Sequence, residues 1–166
     1  GQLALGLVIG LLIYYHPAFT KTVDVPFFKD IVLNIGAWYI LLSVLVIAGT
    51  SNAVNLTDGL DGLAIGCVSI VALTYAIMSY VSGNVKFSAY LAIPYVAGSG
   101  ELAVFCGCLV GAGLGFLWYN SHPASVFMGD AGSLALGGAI GIVSLIIKKE
   151  LLLVIAGGIF VAEAIS

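Results

Sequence analysis

Charged side chains are scarce in this chain. They make up 8 % of its 166 residues, and no arginine is among them. Soluble domains carry roughly 25 % charged residues and are about half apolar. A chain of this length that is 61 % hydrophobic, with a mean hydropathy of +1.19, has more apolar surface than one water-bounded core can cover. Lipid is therefore expected to be its solvent. The missing arginines and the net charge of −3 exclude the basic footprint of a nucleic-acid-binding protein. Cysteine is sparse as well. Cys106 and Cys108 form a C-x-C inside an apolar stretch with no further soft ligands nearby, so they read as packing residues rather than metal ligands. No Met opens the chain and no basic segment precedes its first apolar run, which makes that run a poor signal peptide. Apolar segments reach residue 1 and Ser166 without a soluble cap, and the expectation is a fragment of a longer protein.

What is present is a series of charge-free stretches: 1–20, 31–57, 62–85, 102–129, 131–147 and 151–162. A helix rises 1.5 Å per residue, so about 20 apolar residues cross the ~30 Å hydrocarbon core. Unpaired backbone groups find no water there, which leaves helices or closed barrels. Residues 40–47 and 151–155 show none of the period-two alternation of a barrel strand. The expectation is an all-α polytopic membrane bundle forming a single domain. Its six hydrophobic segments lie near 1–15, 35–50, 62–81, 101–119, 133–147 and 151–166. Gly107, Gly111 and Gly115, at four-residue spacing, predict a helix–helix contact face on the fourth segment.

Six helices alternate between two membrane faces. Connections 51–61 and 120–132 share one face and carry only acids: Asp58, Asp61 and Asp130. All five lysines (Lys21, Lys29, Lys86, Lys148, Lys149) fall in the connections of the other face. A positive-inside count would place those lysines in the cytoplasm. In the first connection, alternation around Val23, Asp24 and Val25 suggests a short extended or hairpin element, with Phe27 and Phe28 at the interface. The third connection is rich in Gly and Ser, with Tyr90 and Tyr95 as interface anchors.

The chemistry concentrates in the two acidic connections. The first packs Asn52, Asn55, Thr57, Asp58, Gly59, Asp61 and Gly62 into a dozen residues. Asp58 and Asp61, three apart, would share one face of a starting helix, with Asp58 as its N-cap. Capping accounts for one acid. It does not account for two carboxylates and two Asn at a bilayer edge, where ionisable groups are expensive and usually functional. The second runs from Asn120 through His122, Pro123 and Phe127 to Asp130 and Ser133. Asp130, just ahead of an apolar helix, reads either as an N-cap or as a ligand of Mg²⁺, a hard cation that takes one or two carboxylates and completes its shell with water and phosphate oxygens. Helix N-termini at Asp58 and Asp130 would present backbone N–H groups to those phosphates. Phe127 could stack on a planar base, and His122 reads as a loop residue.

The stretch Asn52-Ala-Val-Asn55-Leu-Thr-Asp58-Gly-Leu-Asp61-Gly-Leu resembles the N-x-x-N-x-x-D-G-x-D-G-L motif of the polyprenyl-phosphate phospho-N-acetylhexosamine transferases. The stretch from Asn120 to Ser133 and its Leu-Ala-Leu-Gly-Gly continuation resemble the second motif of the same superfamily, and look most like the phospho-N-acetylmuramoyl-pentapeptide-transferase branch. The resemblance runs over essentially the whole chain. It implies a bacterial plasma-membrane parent of ten spanning helices, of which this chain would supply the fourth to the ninth, with its active site on the cytoplasmic face against the lysine count. It implies a UDP-linked muramoyl-pentapeptide donor, undecaprenyl phosphate as acceptor, and UMP and the first lipid-linked peptidoglycan precursor as products. A homodimer is a further expectation.

By resemblance, Asp130 holds Mg²⁺ and is catalytic together with Asp58. Asn55, Asp58, Gly59, Asp61, Asn120 and Phe127 line the nucleoside and sugar pocket, and Asn52 matches a polar position of that site. The family's Asp-Asp pair and His-rich loop lie outside these residues, so the chain alone is expected to be inactive. Two alternatives stay open: a sister enzyme that transfers N-acetylglucosamine-1-phosphate to the same lipid, and a transporter fragment. A transporter would carry ionisable residues in broken helices near mid-membrane. Here Asp58, Asp61 and Asp130 fall at predicted helix ends, with Glu163 as the exception.

Overall fold

The computed structural model of the chain describes residues 1–17, 19, 21–24, 32–158, 160 and 162. It is an all-α membrane bundle with one small hairpin. Helix α1 (Gln2–Tyr15) is followed by strands β1 (Thr22–Asp24) and β2 (Val32–Asn34), then α2 (Trp38–Thr57), α3 (Leu63–Ser82) and the short α4 (Val85–Leu91). Helices α5 (Gly100–Asn120), α6 (Gly129–Ile146) and α7 (Glu150–Ala156) complete the order. The strands pair antiparallel, with Val23 opposite Leu33, as the alternation in that connection predicts. Phe27 and Phe28 lie outside the described residues.

Among the described residues four helices, α2, α3, α5 and α6, are long and apolar enough to cross a membrane. At 20 residues, α2 and α3 each rise about 30 Å, the thickness of the hydrocarbon core. The first predicted segment is a shorter apolar helix of 14 residues. The sixth is helical from Glu150 to Ala156, and much of its remainder, including Glu163, lies outside the described residues.

The spans assemble as two packed sets. Helix α2 lies between α1 and α6, while α3 packs against α5. A core of Val54, Ile65, Val68, Val71, Tyr75, Cys106, Ile140, Val143 and Ile147 joins α2, α3, α5 and α6. A second cluster of Ile13, Val23, Tyr39, Ile47 and Leu145 ties α1 and β1 to α2 and the end of α6. Cys67 and Cys106 are buried and Cys108 is exposed, and none of the three is in a disulfide.

Glycine brings α6 against α2. A Cβ on Gly137 would stand 2.5 Å from the Thr50 carbonyl oxygen and 2.7 Å from Ser51 Cα, so only glycine fits that approach. Across the same contact Ser51 Oγ donates to the Leu134 carbonyl at 2.7 Å. The glycines expected to make a contact face on α5 meet no other helix among the described residues. Gly107, Gly111 and Gly115 have no heavy atom within 4 Å of an added Cβ and lie on the exposed side of the helix. Gly113 meets α3 instead, through Ile65 and Ser69.

Alternation of the spans puts the α2–α3 turn and the α5–α6 segment at one end of the bundle. The hairpin, α4 and the α6–α7 corner lie at the other. The acids Asp58, Asp61 and Asp130 thus share an end opposite Lys148 and Lys149, as the spacing of charges predicts.

Candidate active site

The first acidic connection is shorter than its polarity suggests. Residues 51–57 are the last two turns of α2, not a loop, and only 58–62 form the turn into α3. The polar side chains that imitate a loop hydrogen-bond back to the helix or to its neighbours. Thr57 Oγ1 donates to the Ala53 carbonyl at 2.9 Å, and Asn52 Nδ2 to the Ala48 carbonyl at 2.7 Å. Asp58 is accordingly the C-cap of α2 and not the N-cap of α3. The α3 N-cap is Gly62, whose φ of +75° is a left-handed conformation that favours glycine. Asp58 and Asp61 therefore do not share a helix face. Of the two helix N-termini expected at the site, that of α6 has Asp130 in its first turn, whereas that of α3 begins at Gly62 and not at Asp58.

One polar cavity of about 180 Å³ nevertheless draws both motifs together. It is lined by Asn55, Asp58, Gly59, Leu60, Asp61, Asn120, Phe127, Gly129 and Asp130. Every residue assigned to the pocket by resemblance lines it except Asn52. That side chain points to α1, where its Nδ2 also donates to Gln2 Oε1 at 2.8 Å. Leu60 and Gly129 belong to the lining without having carried a chemical signal in the sequence.

The cavity walls are cross-braced. Ser133 Oγ, fully buried on α6, donates to Asn55 Oδ1 on α2 at 2.7 Å. Asn120, at the end of α5 and only 4 % exposed, accepts from the Gly62 N–H through Oδ1 at 3.1 Å. Its Nδ2 donates to the Val126 carbonyl at 2.8 Å. Asp61 Oδ2 accepts from the Ala124 N–H at 3.1 Å, and His122 Nδ1 lies at the same distance from that oxygen. Phe127 stands at the rim with 73 % of its surface exposed, a large aromatic face with little protein against it. The braces between the two connections and from α2 to α6 link residues 58 or more positions apart, and sequence spacing gives no sign of them.

The electrostatics are those of an anionic site. Burial raises the Asp58 carboxyl above the usual carboxylate range, and the nearby Asp130 carboxylate raises it further. A hydrogen bond from the Gly129 backbone partly offsets both. The C-terminal end of the α2 dipole, where Asp58 sits, also gives a negative charge no help. Among the described residues no lysine lines the cavity.

Such a site suits a divalent cation and phosphates better than phosphates alone. Among the described residues no cluster of three or more His, Cys, Asp or Glu forms a complete protein cage for a metal. Two carboxylates beside open space fit a hard cation that keeps waters and takes substrate oxygens.

The comparison with known families decides membership. The model of glycosyl transferase family 4 matches residues 1–148. The chain belongs to glycosyl transferase family 4. Within reach of this family match, the chain is 58 % identical to a phospho-N-acetylmuramoyl-pentapeptide-transferase of Citrifermentans bemidjiense. It is 59 % identical to one of Pelobacter propionicus and 56 % to one of Desulfotalea psychrophila. Each match covers 99 % of this chain and 46 % of the relative. The chain thus spans about half the length of the curated relatives it matches, and the family 4 match includes both cavity-lining motifs.

Proposed function

We propose that the full-length protein transfers phospho-N-acetylmuramoyl-pentapeptide from UDP to undecaprenyl phosphate. The products are UMP and the first lipid-linked precursor of peptidoglycan. The observation that carries this reading is the cavity in which Asp58, Asp130 and Phe127 meet at one end of the spans. A soluble nucleotide and a membrane-held lipid phosphate can both reach such a place. The names of the relatives support the choice of donor and acceptor.

In the reaction an oxygen of the lipid phosphate attacks the sugar-bearing phosphorus of the UDP-sugar. The bond from that phosphorus to the UMP oxygen breaks, its electron pair leaves with UMP, and a new pyrophosphate link joins sugar and lipid. Phosphoryl transfer depends chiefly on positioning and charge stabilisation. Phe127 offers its open face to the uracil ring. Asn55, fixed by Ser133, and the Gly59–Asp61 turn flank the sugar and ribose. Asp58 borders the same cavity, where its carboxylate can take the remaining proton from the lipid phosphate, whose second ionisation lies near 6. Asp130 is the residue that would hold Mg²⁺, with Asp58 next to it. Bound there, Mg²⁺ supplies neutralisation of the pyrophosphate and of the UMP leaving group.

A second, apolar cavity of about 350 Å³ runs beside α2 and α7, lined by Leu45, Val46, Gly49, Ala53, Leu153 and Phe160 among others. Ala53 on its wall lies one helical turn before Thr57, next to the polar site, so the isoprenoid chain and its phosphate can lie along the same helix. The soluble nucleotide places the acidic end in the cytoplasm of a bacterial inner membrane, and this consideration outweighs the lysines at the opposite end.

The test is Mg²⁺-dependent UMP release from UDP-N-acetylmuramoyl-pentapeptide and undecaprenyl phosphate by the full-length protein in detergent, with wild type and Asp130→Asn. Activity lost in a folded Asp130→Asn supports reaction and metal role together. Turnover with UDP-N-acetylglucosamine alone moves the protein to the sister reaction. Full activity in the variant reduces Asp130 to a helix-terminal residue.

A further inference from the structure

His122 lies outside every role assigned so far, yet it is one of two contacts that the 121–127 segment makes with the Asp61 carboxylate. The segment folds back on the end of α5, with the Ser125 and Val126 N–H groups both donating to the Tyr119 carbonyl, at 2.9 and 3.3 Å. It is then fastened sideways to the α2–α3 turn at two points. Asn120 bridges Gly62 and Val126 with both ends of its amide. Asp61 Oδ2 takes the Ala124 N–H and faces His122 Nδ1. A carboxylate only accepts, so Nδ1 must carry the hydrogen in this contact. The next residue after these anchors is Phe127, whose ring has little protein contact of its own. Its place at the cavity rim depends on how the segment before it is held.

We infer that His122 is a positioning residue: through Asp61 it fastens the 121–127 segment to the α2–α3 turn and so holds the Phe127 ring where the nucleobase stacks. The same geometry makes Asn120 a positioning residue. The inference rests on the proposed nucleotide-sugar reaction for its kinetic consequence, and on geometry alone for the order of the segment. His122 is 86 % exposed at its side chain, so replacing it leaves the core intact.

The experiment uses the full-length protein in detergent with His122→Ala, His122→Asn and His122→Gln, and two readouts. Amide hydrogen exchange over residues 124–128 reads the order of the segment without any substrate. Steady-state transfer with UDP-N-acetylmuramoyl-pentapeptide reads KM and kcat separately. Loss of one exposed hydrogen bond to a carboxylate predicts exchange and KM each raised about fivefold in His122→Ala, with kcat within about twofold. The Asn amide nitrogen sits at the δ position, so His122→Asn restores both values, while His122→Gln, whose donor is one atom further out, does not.

A kcat reduced about a hundredfold with unchanged exchange would make His122 a proton-transfer residue and overturn the inference. Unchanged exchange and KM in His122→Ala, or faster exchange with unchanged KM, overturns it as well. If the wild-type protein releases no UMP, the proposed reaction falls, and the exchange pattern of the three variants still decides whether His122 orders the segment.

Discussion

Gly137→Ala tests the geometry on which the cavity depends. The added methyl carbon would lie 2.5 Å from the Thr50 carbonyl oxygen and 2.7 Å from Ser51 Cα, both backbone atoms that no rotamer change can move aside. Helices α2 and α6 must separate to admit it. Overpacking of this kind costs about 1–3 kcal/mol. Separation also stretches the Ser51–Leu134 hydrogen bond, an interaction of about 0.6 kcal/mol between membrane helices. The sum is about 2–4 kcal/mol. Against it stands a gain of about 0.4–1 kcal/mol from restricting the unfolded chain.

Gly138→Ala is the internal control, because an added Cβ there meets nothing within 4 Å and only that small gain applies. The thermal midpoint of the full-length protein in detergent should fall by several degrees in Gly137→Ala and stay level or rise in Gly138→Ala. The helices that part at Gly137 carry Asn55 and Asp58 on one side and Ser133 and Asp130 on the other. Transfer activity should therefore fall with stability in the first variant only. Equal midpoints for the two variants would falsify the close approach of α2 and α6.

Two further predictions concern the cavity itself. Burial and the Asp130 carboxylate raise Asp58 in the folded state, so its protonated form is favoured there relative to the unfolded chain. Stability linked to this group is complete below the unfolded carboxylate range and is lost as pH rises through the folded value. Asp58→Asn should consequently raise the thermal midpoint of chelator-treated protein at pH 7, with the gain fading at a pH below the ordinary carboxylate range, while transfer activity is lost; an equal gain at both pH values would contradict the assignment. Phe127→Ala should raise KM for the UDP-sugar about tenfold, given about 1–3 kcal/mol for stacking of one base on an aromatic ring, with Phe127→Tyr near wild type. An unchanged KM would assign the exposed ring to something other than the nucleobase.

Much of the molecule was legible without coordinates, for reasons that can be named residue by residue. Long charge-free runs in lipid leave the backbone no choice but helix, and among the described residues four of the six runs hold helices long and apolar enough to span. The acids of both motifs, counted by alternation of spans, belong to one end, and Asp58, Asp61 and Asp130 do share a cavity. Val23 opposite Leu33 confirms the hairpin read from alternation.

The tertiary structure decided the rest. Polar residues 51–57 read as a loop because Ser, Asn and Thr favour turns in water. Inside the bundle their side chains satisfy themselves on carbonyls, so α2 runs on to Thr57 and Asp58 becomes a C-cap. Glycines at four-residue spacing occur on both α5 and α6. A span that is apolar all round carries no periodicity to say which side meets a neighbour, so only packing shows that, among the described residues, Gly137 meets another helix and Gly107, Gly111 and Gly115 do not. The braces from Asp61 to Ala124, Asn120 to Gly62 and Ser133 to Asn55 join residues far apart in the chain. They exist because the spans set two separate connections against each other, and that juxtaposition is a property of the packed helices.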